Sequence, residues 1–175
     1  MSTQSHVLTK QQNWCKIAFG ANGGNPLTIA KNLYFDGKLA SDIVVPDEIT
    51  TIKPYAFYNY SGLKSITLPD SLVVIDSHAF YNCSNLGDIV IPDSVTTIGG
   101  GVFDGCHALK SVVMSKNVTN IGYRAFYACR GLTDIYYSGN ETDWSKITIS
   151  SSGNEVLSSA TIHYNCSEKI ALICS

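Results

Sequence analysis

The sequence predicts an α/β solenoid, and three observations carry the prediction. One phrase recurs without a gap at a spacing of 23 residues: IVVPDEITTIKPYAFYNYSGLKS from Ile43, ITLPDSLVVIDSHAFYNCSNLGD from Ile66, IVIPDSVTTIGGGVFDGCHALKS from Ile89 and VVMSKNVTNIGYRAFYACRGLTD from Val112 to Asp134. Inside it, two apolar columns stand two residues apart, the side-chain period of a strand. Further along each copy a phenylalanine recurs in register: Phe57, Phe80, Phe103 and Phe126. Self-similarity at a period of roughly 20 to 50 residues marks one supersecondary unit stacking on the next.

Ahead of the array, Asn13-Trp14-Cys15-Lys16-Ile17-Ala18-Phe19 matches Asp143-Trp144-Ser145-Lys146-Ile147-Thr148-Ile149 behind it. Leu33-Tyr34-Phe35 likewise matches Ile162-His163-Tyr164. Both tryptophans are read as core or end-capping aromatics, because the ends of a solenoid must be covered. Residues 20–32 form a Gly/Asn/Pro-rich loop, and residues 33–39 read as a hairpin turning at Asp36-Gly37. Its second arm would shield the first edge of the sheet.

Within each copy the first strand carries Ile43, Ile66, Ile89, Val112 and Ile135 in one inward column. Val45, Leu68, Ile91, Met114 and Tyr137 form the other. Pro46, Pro69 and Pro92 end the strand at a corner, since proline cannot donate to a ladder, and Ser115 takes that place in the fourth copy. Leu72 with Ile75 and their equivalents line a short second strand among β-branched neighbours. A single helical turn is expected around Ala56-Phe57, Ala79-Phe80, Val102-Phe103 and Ala125-Phe126, with Pro54 at its first position. Gly99, Gly100 and Gly101 make the third such turn irregular, at about 1 kcal/mol per glycine relative to alanine. Leu63, Leu86, Leu109 and Leu132 close the copies.

A fifth copy starts at Ile135 as IYYSGNETDWSKI and then changes character. The chain therefore divides into an N-terminal tryptophan-containing capping unit and hairpin (1–42), four full repeats (43–134), and a partial fifth repeat with a C-terminal tryptophan-containing unit (135–175), all in one continuous solenoid domain.

The order Leu63-x-x-Ile66-x-Leu68-Pro69, then Leu72, Ile75, Ala79-Phe80, Cys83 and Leu86, resembles the treponemal, BspA-like class of leucine-rich repeat. That resemblance implies a right-handed leucine-rich-repeat solenoid with one short parallel strand per repeat on the concave side. It also implies surface proteins of bacteria or protozoa, some of them adhesins for host matrix proteins. Tyr60 in the cysteine column, Ser115 for proline and the three glycines depart from the pattern.

Composition excludes several classes. With 12 Lys and Arg against 14 Asp and Glu, the net charge of −2 gives no basic surface for nucleic acid. No apolar run is long enough to span a bilayer. The opening MSTQSHVLTKQQNW has neither the basic start nor the apolar centre of a secretory signal. Either the chain stays in the cytoplasm or it is a piece of a longer protein, and the paired tryptophan units favour the second. Five Asn-x-Ser/Thr sequons occur, at Asn59, Asn82, Asn117, Asn140 and Asn165; those at Asn59 and Asn82 follow from the repeat's own Tyr-Asn-x-Ser, and the set says little about compartment.

No catalytic, cofactor or metal constellation emerges. Cys83, Cys106 and Cys129 share one column and are expected in the core as small hydrophobes. There is no Cys-x-x-Cys, and His78, His107 and His163 do not fall at ligand spacing. Cys166 and Cys174 either pair or remain free. Cys106-His107 point apart, His78 falls at a variable, exposed turn position, and the glycine triplet lacks the Gly-Lys-Ser/Thr of a phosphate loop.

What remains is surface. The outward strand positions are Asp42, Ser65, Asp88, Ser111 and Asp134 in one column, and Val44, Thr67, Val90, Val113 and Tyr136 in the next. Together they would form a mildly acidic strip with an apolar floor for a protein or peptide, and by the resemblance for a host extracellular-matrix protein. The reading is a non-catalytic protein-interaction module, monomeric, from a cell-surface or secreted protein of adhesin type. A structural spacer in a long repeat protein is the alternative, and a hydrolase a remote one.

Overall fold

The computed structural model describes residues 14, 33–35 and 37–166. The 20–32 loop, Asp36, Cys15, Cys174 and the rest of the first tryptophan unit lie outside the described residues. A short antiparallel hairpin, β1 (Tyr34–Phe35) and β2 (Lys38–Leu39), pairs Tyr34 with Leu39. From there the chain coils. One side of the coil carries β3 (Asp42–Val44), β5 (Ser65–Thr67), β7 (Asp88–Ile91), β9 (Ser111–Met114), β11 (Asp134–Tyr137) and β13 (Thr161–His163). A second side carries β4 (Thr51–Ile52), β6 (Val74–Ile75), β8 (Thr97–Ile98), β10 (Asn120–Ile121) and β12 (Thr148–Ile149).

Every pairing between coils is parallel and keeps repeat positions together, as in Ile43 with Ile66 or Ile89 with Val112. The second sheet runs unbroken from β4 to β12. The first is divided: β3 pairs β5, and β7, β9, β11 and β13 form a separate ladder. β5 and β7 are neighbours, bridged by the Gly87 N–H to the Lys64 carbonyl at 3.2 Å, without a strand ladder between them among the described residues.

The last coil is longer. Asp134 pairs with Thr161, an offset of 27 rather than 23, and the added length holds two short helices, α1 (Glu141–Trp144) and α2 (Val156–Ser159). A capping box explains α1: the Asn140 side chain accepts from the Asp143 N–H at 2.9 Å, and the Asp143 carboxylate faces the Asn140 N–H. Trp144 packs edge-on against Tyr137 at 5.2 Å.

The third side of the coil corrects an expectation. Where one helical turn per repeat was predicted, the chain makes consecutive turns with alternating donor use. The N–H groups of Ala56, Tyr58 and Tyr60 close local turns onto Lys53, Tyr55 and Phe57, whereas those of Tyr55, Phe57 and Asn59 reach Ser77, Ala79 and Tyr81 of the next coil. A helix would keep every donor for itself. The left-handed φ angles of Tyr55, His78, Gly101 and Arg124, and of Asn59, Asn82, Gly105 and Ala128, break it twice per repeat.

The core is the stack of repeat columns. Phe57, Phe80, Phe103 and Phe126 are fully buried, with ring centroids 5.3, 5.6 and 5.2 Å apart along the coil. The thiols of Cys83, Cys106 and Cys129 donate to the carbonyls of Phe57, Phe80 and Phe103 at 3.1, 3.2 and 3.0 Å. Burial pushes all three thiols up, Cys129 to about 12, so they behave as hydrophobes and not as nucleophiles. Tyr60 departs from this column by reaching further. Its hydroxyl donates to the Ala40 carbonyl at 2.5 Å, with the Leu33 carbonyl 3.2 Å away, and ties the hairpin to the first coil. Ser115 replaces a corner proline by accepting from the Asn117 N–H at 3.1 Å.

Candidate functional site

Two surfaces are built on this frame. On the first sheet, the outward columns lie in register: Asp42 beside Ser65, Asp88 beside Ser111, and Asp134 beside Thr161. Period-2 alternation brings them out, with buried Ile43, Ile66 and Ile89 between them. Asp42 accepts from the hydroxyls of Ser41 and Ser65, and these bonds hold its carboxyl below the usual range. Asp88 accepts from the Ser111 hydroxyl at 2.8 Å. Asp134 lies 2.8 Å from His163 Nε2, and the bonds from His163 and then Thr133 lower its carboxyl likewise.

The second column is uneven. Val44 and Val90 are exposed, at 49% and 37%, and Thr67 is exposed between them. Val113, expected outward, is only 7% exposed. It stands in register between Val90 and the large ring of Tyr136, which narrow the space around it. Tyr136 is half-buried and stacks on His163, ring centroids 4.6 Å apart. The strip thus ends in a Tyr136-His163-Asp134 cluster, of which the sequence pointed to two members.

The other surface lies on the turns and escaped sequence reasoning. A cleft of about 320 Å³ opens between two turn columns. In one, Tyr55 stacks on His78 at 5.3 Å, followed by Gly101 and Arg124; in the other, Tyr58 stacks on Tyr81 at 4.7 Å, followed by Asp104 and Tyr127. A Cβ at Gly101 would stand 2.8 Å from the His78 ring, so glycine is what lets the ring lean there. The Arg124 guanidinium lies 3.9 Å over the Tyr127 ring and pairs with the buried Asp104 carboxylate at 3.1 Å. Arg124 is therefore no neutral surface residue. Burial raises the Asp104 carboxyl, with Arg124 opposing it. The available signal was that the third copy breaks two aromatic columns at once, at Gly101 and Asp104.

Among the described residues no group of three or more His, Cys, Asp or Glu side chains could hold a metal, and no helix is long and apolar enough to cross a membrane. Cys106 is fully buried, and His107 Nδ1 lies 2.9 Å from the Ala128 carbonyl, so the adjacent pair forms no dyad.

Residues 28–155 match a family profile described as a BspA type leucine rich repeat region in six copies, extending past the four-copy block on both sides. No curated protein matches the chain. Among solved structures, a leucine-rich repeat protein of T. pallidum is 36% identical over 55% of this chain and 45% of its own, with a TM-score of 0.54. One from Eubacterium ventriosum is 29% identical over 59% of this chain and 28% of its own, also at 0.54. A leucine rich cell surface protein of Faecalibacterium prausnitzii is 29% identical over 62% of this chain and 35% of its own, at 0.50. The chain thus spans less than half the length of each. Coils, laddered parallel strands and profile agree: the chain belongs to the BspA-type leucine-rich repeat family.

Proposed function

We propose that this chain is a non-catalytic protein-interaction module of a larger cell-surface or secreted protein of adhesin type. Its ligand would be a protein or peptide, such as a host extracellular-matrix protein. The carrying observation is the in-register sheet, which holds Val44, Thr67 and Val90 outward and exposed beside a row of carboxylates. Leucine-rich repeat proteins commonly bind proteins and are typically non-enzymatic, and a neighbour at 29% identity is a cell surface protein. The same reading takes the coil as right-handed, the strip as its concave side, the chain as monomeric, and residues 1–42 and 135–175 as end units.

The site residues in this reading are Asp42, Val44, Ser65, Thr67, Asp88, Val90, Ser111, Asp134 and Tyr136, with Val113 beneath them. Tyr136 is the anchor, since tyrosine buries much area at small entropy cost. Affinity for immobilised matrix proteins should fall by about 1 to 2 kcal/mol in Tyr136→Ala, and by less and salt-dependently in Asp88→Ala. Asp70→Ala, at an exposed corner, serves as control. Binding lost in the control but kept in Tyr136→Ala would place the partner elsewhere. The internally bonded Asp-Ser pairs favour the spacer reading instead, to which a screen without any matrix-protein hit would point.

A further inference from the structure

The turn-side cleft differs from the strip in having polar atoms that nothing answers. His78 Nδ1 and Arg124 Nε are buried without a hydrogen-bond partner. Asp104 faces the same cleft and gives Oδ2 to Arg124 at 3.1 Å. Buried polar groups are ordinarily paired, and the wall of this cleft keeps two that are not. The wall also offers a platform. Tyr123 is 57% exposed, and although its side chain bonds to Arg124, its ring stacks on nothing among the described residues.

The chemistry narrows the ligand. Asp104 and Arg124 are the two formal charges in the lining and cancel, so the cleft attracts neither anion nor cation by net charge. Aromatic surface lies beside donors (tyrosine hydroxyls, Arg124) and an acceptor (the Asp104 carboxylate). That combination suits a neutral ring with one C–H face and several hydroxyls. The volume of about 320 Å³ lies at the small end of ligand sites. We propose that this cleft binds a neutral saccharide unit, stacked on Tyr123 and hydrogen-bonded to Asp104. The site is separate from the sheet strip and does not rest on the interaction reading.

Saturation-transfer NMR on the full chain, with the methyl glycosides of glucose, galactose, mannose and N-acetylglucosamine as probes, tests this directly. Transfer to at least one glycoside is expected, with an affinity loss of about tenfold in Tyr123→Ala. Tyr123→Phe should retain most of the affinity, because it keeps the ring, and Tyr136→Ala should leave it unchanged. Because Tyr123 is exposed, its replacement leaves the core intact, and the methyl-region spectrum verifies the fold. No transfer from any of the probes, transfer that survives Tyr123→Ala, or Tyr123-dependent binding of a lysine-rich peptide in place of the glycosides would each overturn the proposal.

Discussion

The sheet face and the turn face are written by the same 23 residues, yet they differ in how completely the repeat satisfies itself. On the sheet face, each outward aspartate meets a hydroxyl or imidazole one coil on: Asp42 with Ser65, Asp88 with Ser111, Asp134 with His163. On the turn face, aromatic pairs stack through two coils, and then Gly101 and Asp104 interrupt both columns. Regular repetition yields a closed network, and departure from it yields a cleft with unanswered polar atoms. In a solenoid, the irregular copy is where specificity can be added without disturbing the stack.

Both faces rest on the phenylalanine column, so the largest effect is the least discriminating. Phe80→Ala should cost about 3 to 5 kcal/mol, as a cavity in mid-stack, and could split thermal unfolding into two transitions. A midpoint moved by less than a couple of degrees would refute a shared core. Asn154→Ala probes the turn face alone. The Asn154 side chain accepts from the Phe126 N–H at 3.1 Å and donates to the Gly122 carbonyl at 3.0 Å, taking the place that a further coil would fill. Its loss should cost about 1 to 3 kcal/mol by stranding a buried donor. Hydrogen exchange should show the Phe126 amide losing protection while the β7–β9 amides keep theirs; equal loss in both would make the two faces one cooperative unit.

A smaller change should stabilise. Ala128 adopts φ 57° in a column otherwise filled by Asn59, Asn82 and Gly105, residues that tolerate the left-handed region. Ala128→Gly should raise stability by about 1 kcal/mol, read as a higher urea midpoint at unchanged slope. An unchanged or lower midpoint would mean that the turn face carries no such strain.

The smallest effect separates the faces by sign. Asp42 and Asp134 have carboxyls lowered from 3.8, so their contribution to stability is present above that value and is lost as pH falls through the lowered one. Asp104 is raised from 3.8, so its contribution is present in acid and is lost as pH rises through the raised value. Carboxyl-detected NMR titration should place Asp104 above 3.8 and the two strip aspartates below it. Titration in the opposite order would remove the electrostatic contrast between the faces.

What was legible in the sequence follows the same division. The inward columns and the phenylalanine stack depend only on spacing, and spacing survives in the sequence. Cys83, Cys106 and Cys129 were readable as core for that reason, and the structure buries them. The turns misled because their local bonds, from Ala56, Tyr58 and Tyr60, imitate a helix, while the intervening donors pair across coils, which no local pattern records. Val113 misled because alternation gives the side a residue faces but not the bulk of its neighbours. The cleft depends on side chains from four different copies, so it becomes visible only once the copies are laid side by side.

The divided first sheet has a mechanical consequence. A pull along the solenoid axis loads every hydrogen bond of a joint between coils in parallel, and joints joined by both strand ladders and the turn ladder share the force most widely. The joint between the second and third coils lacks the β5–β7 ladder and holds by the second sheet, the turn bonds and the 3.2 Å Gly87 contact. Under tension it is the seam, and the chain would part there into a two-coil piece and a longer one before either frays from its end.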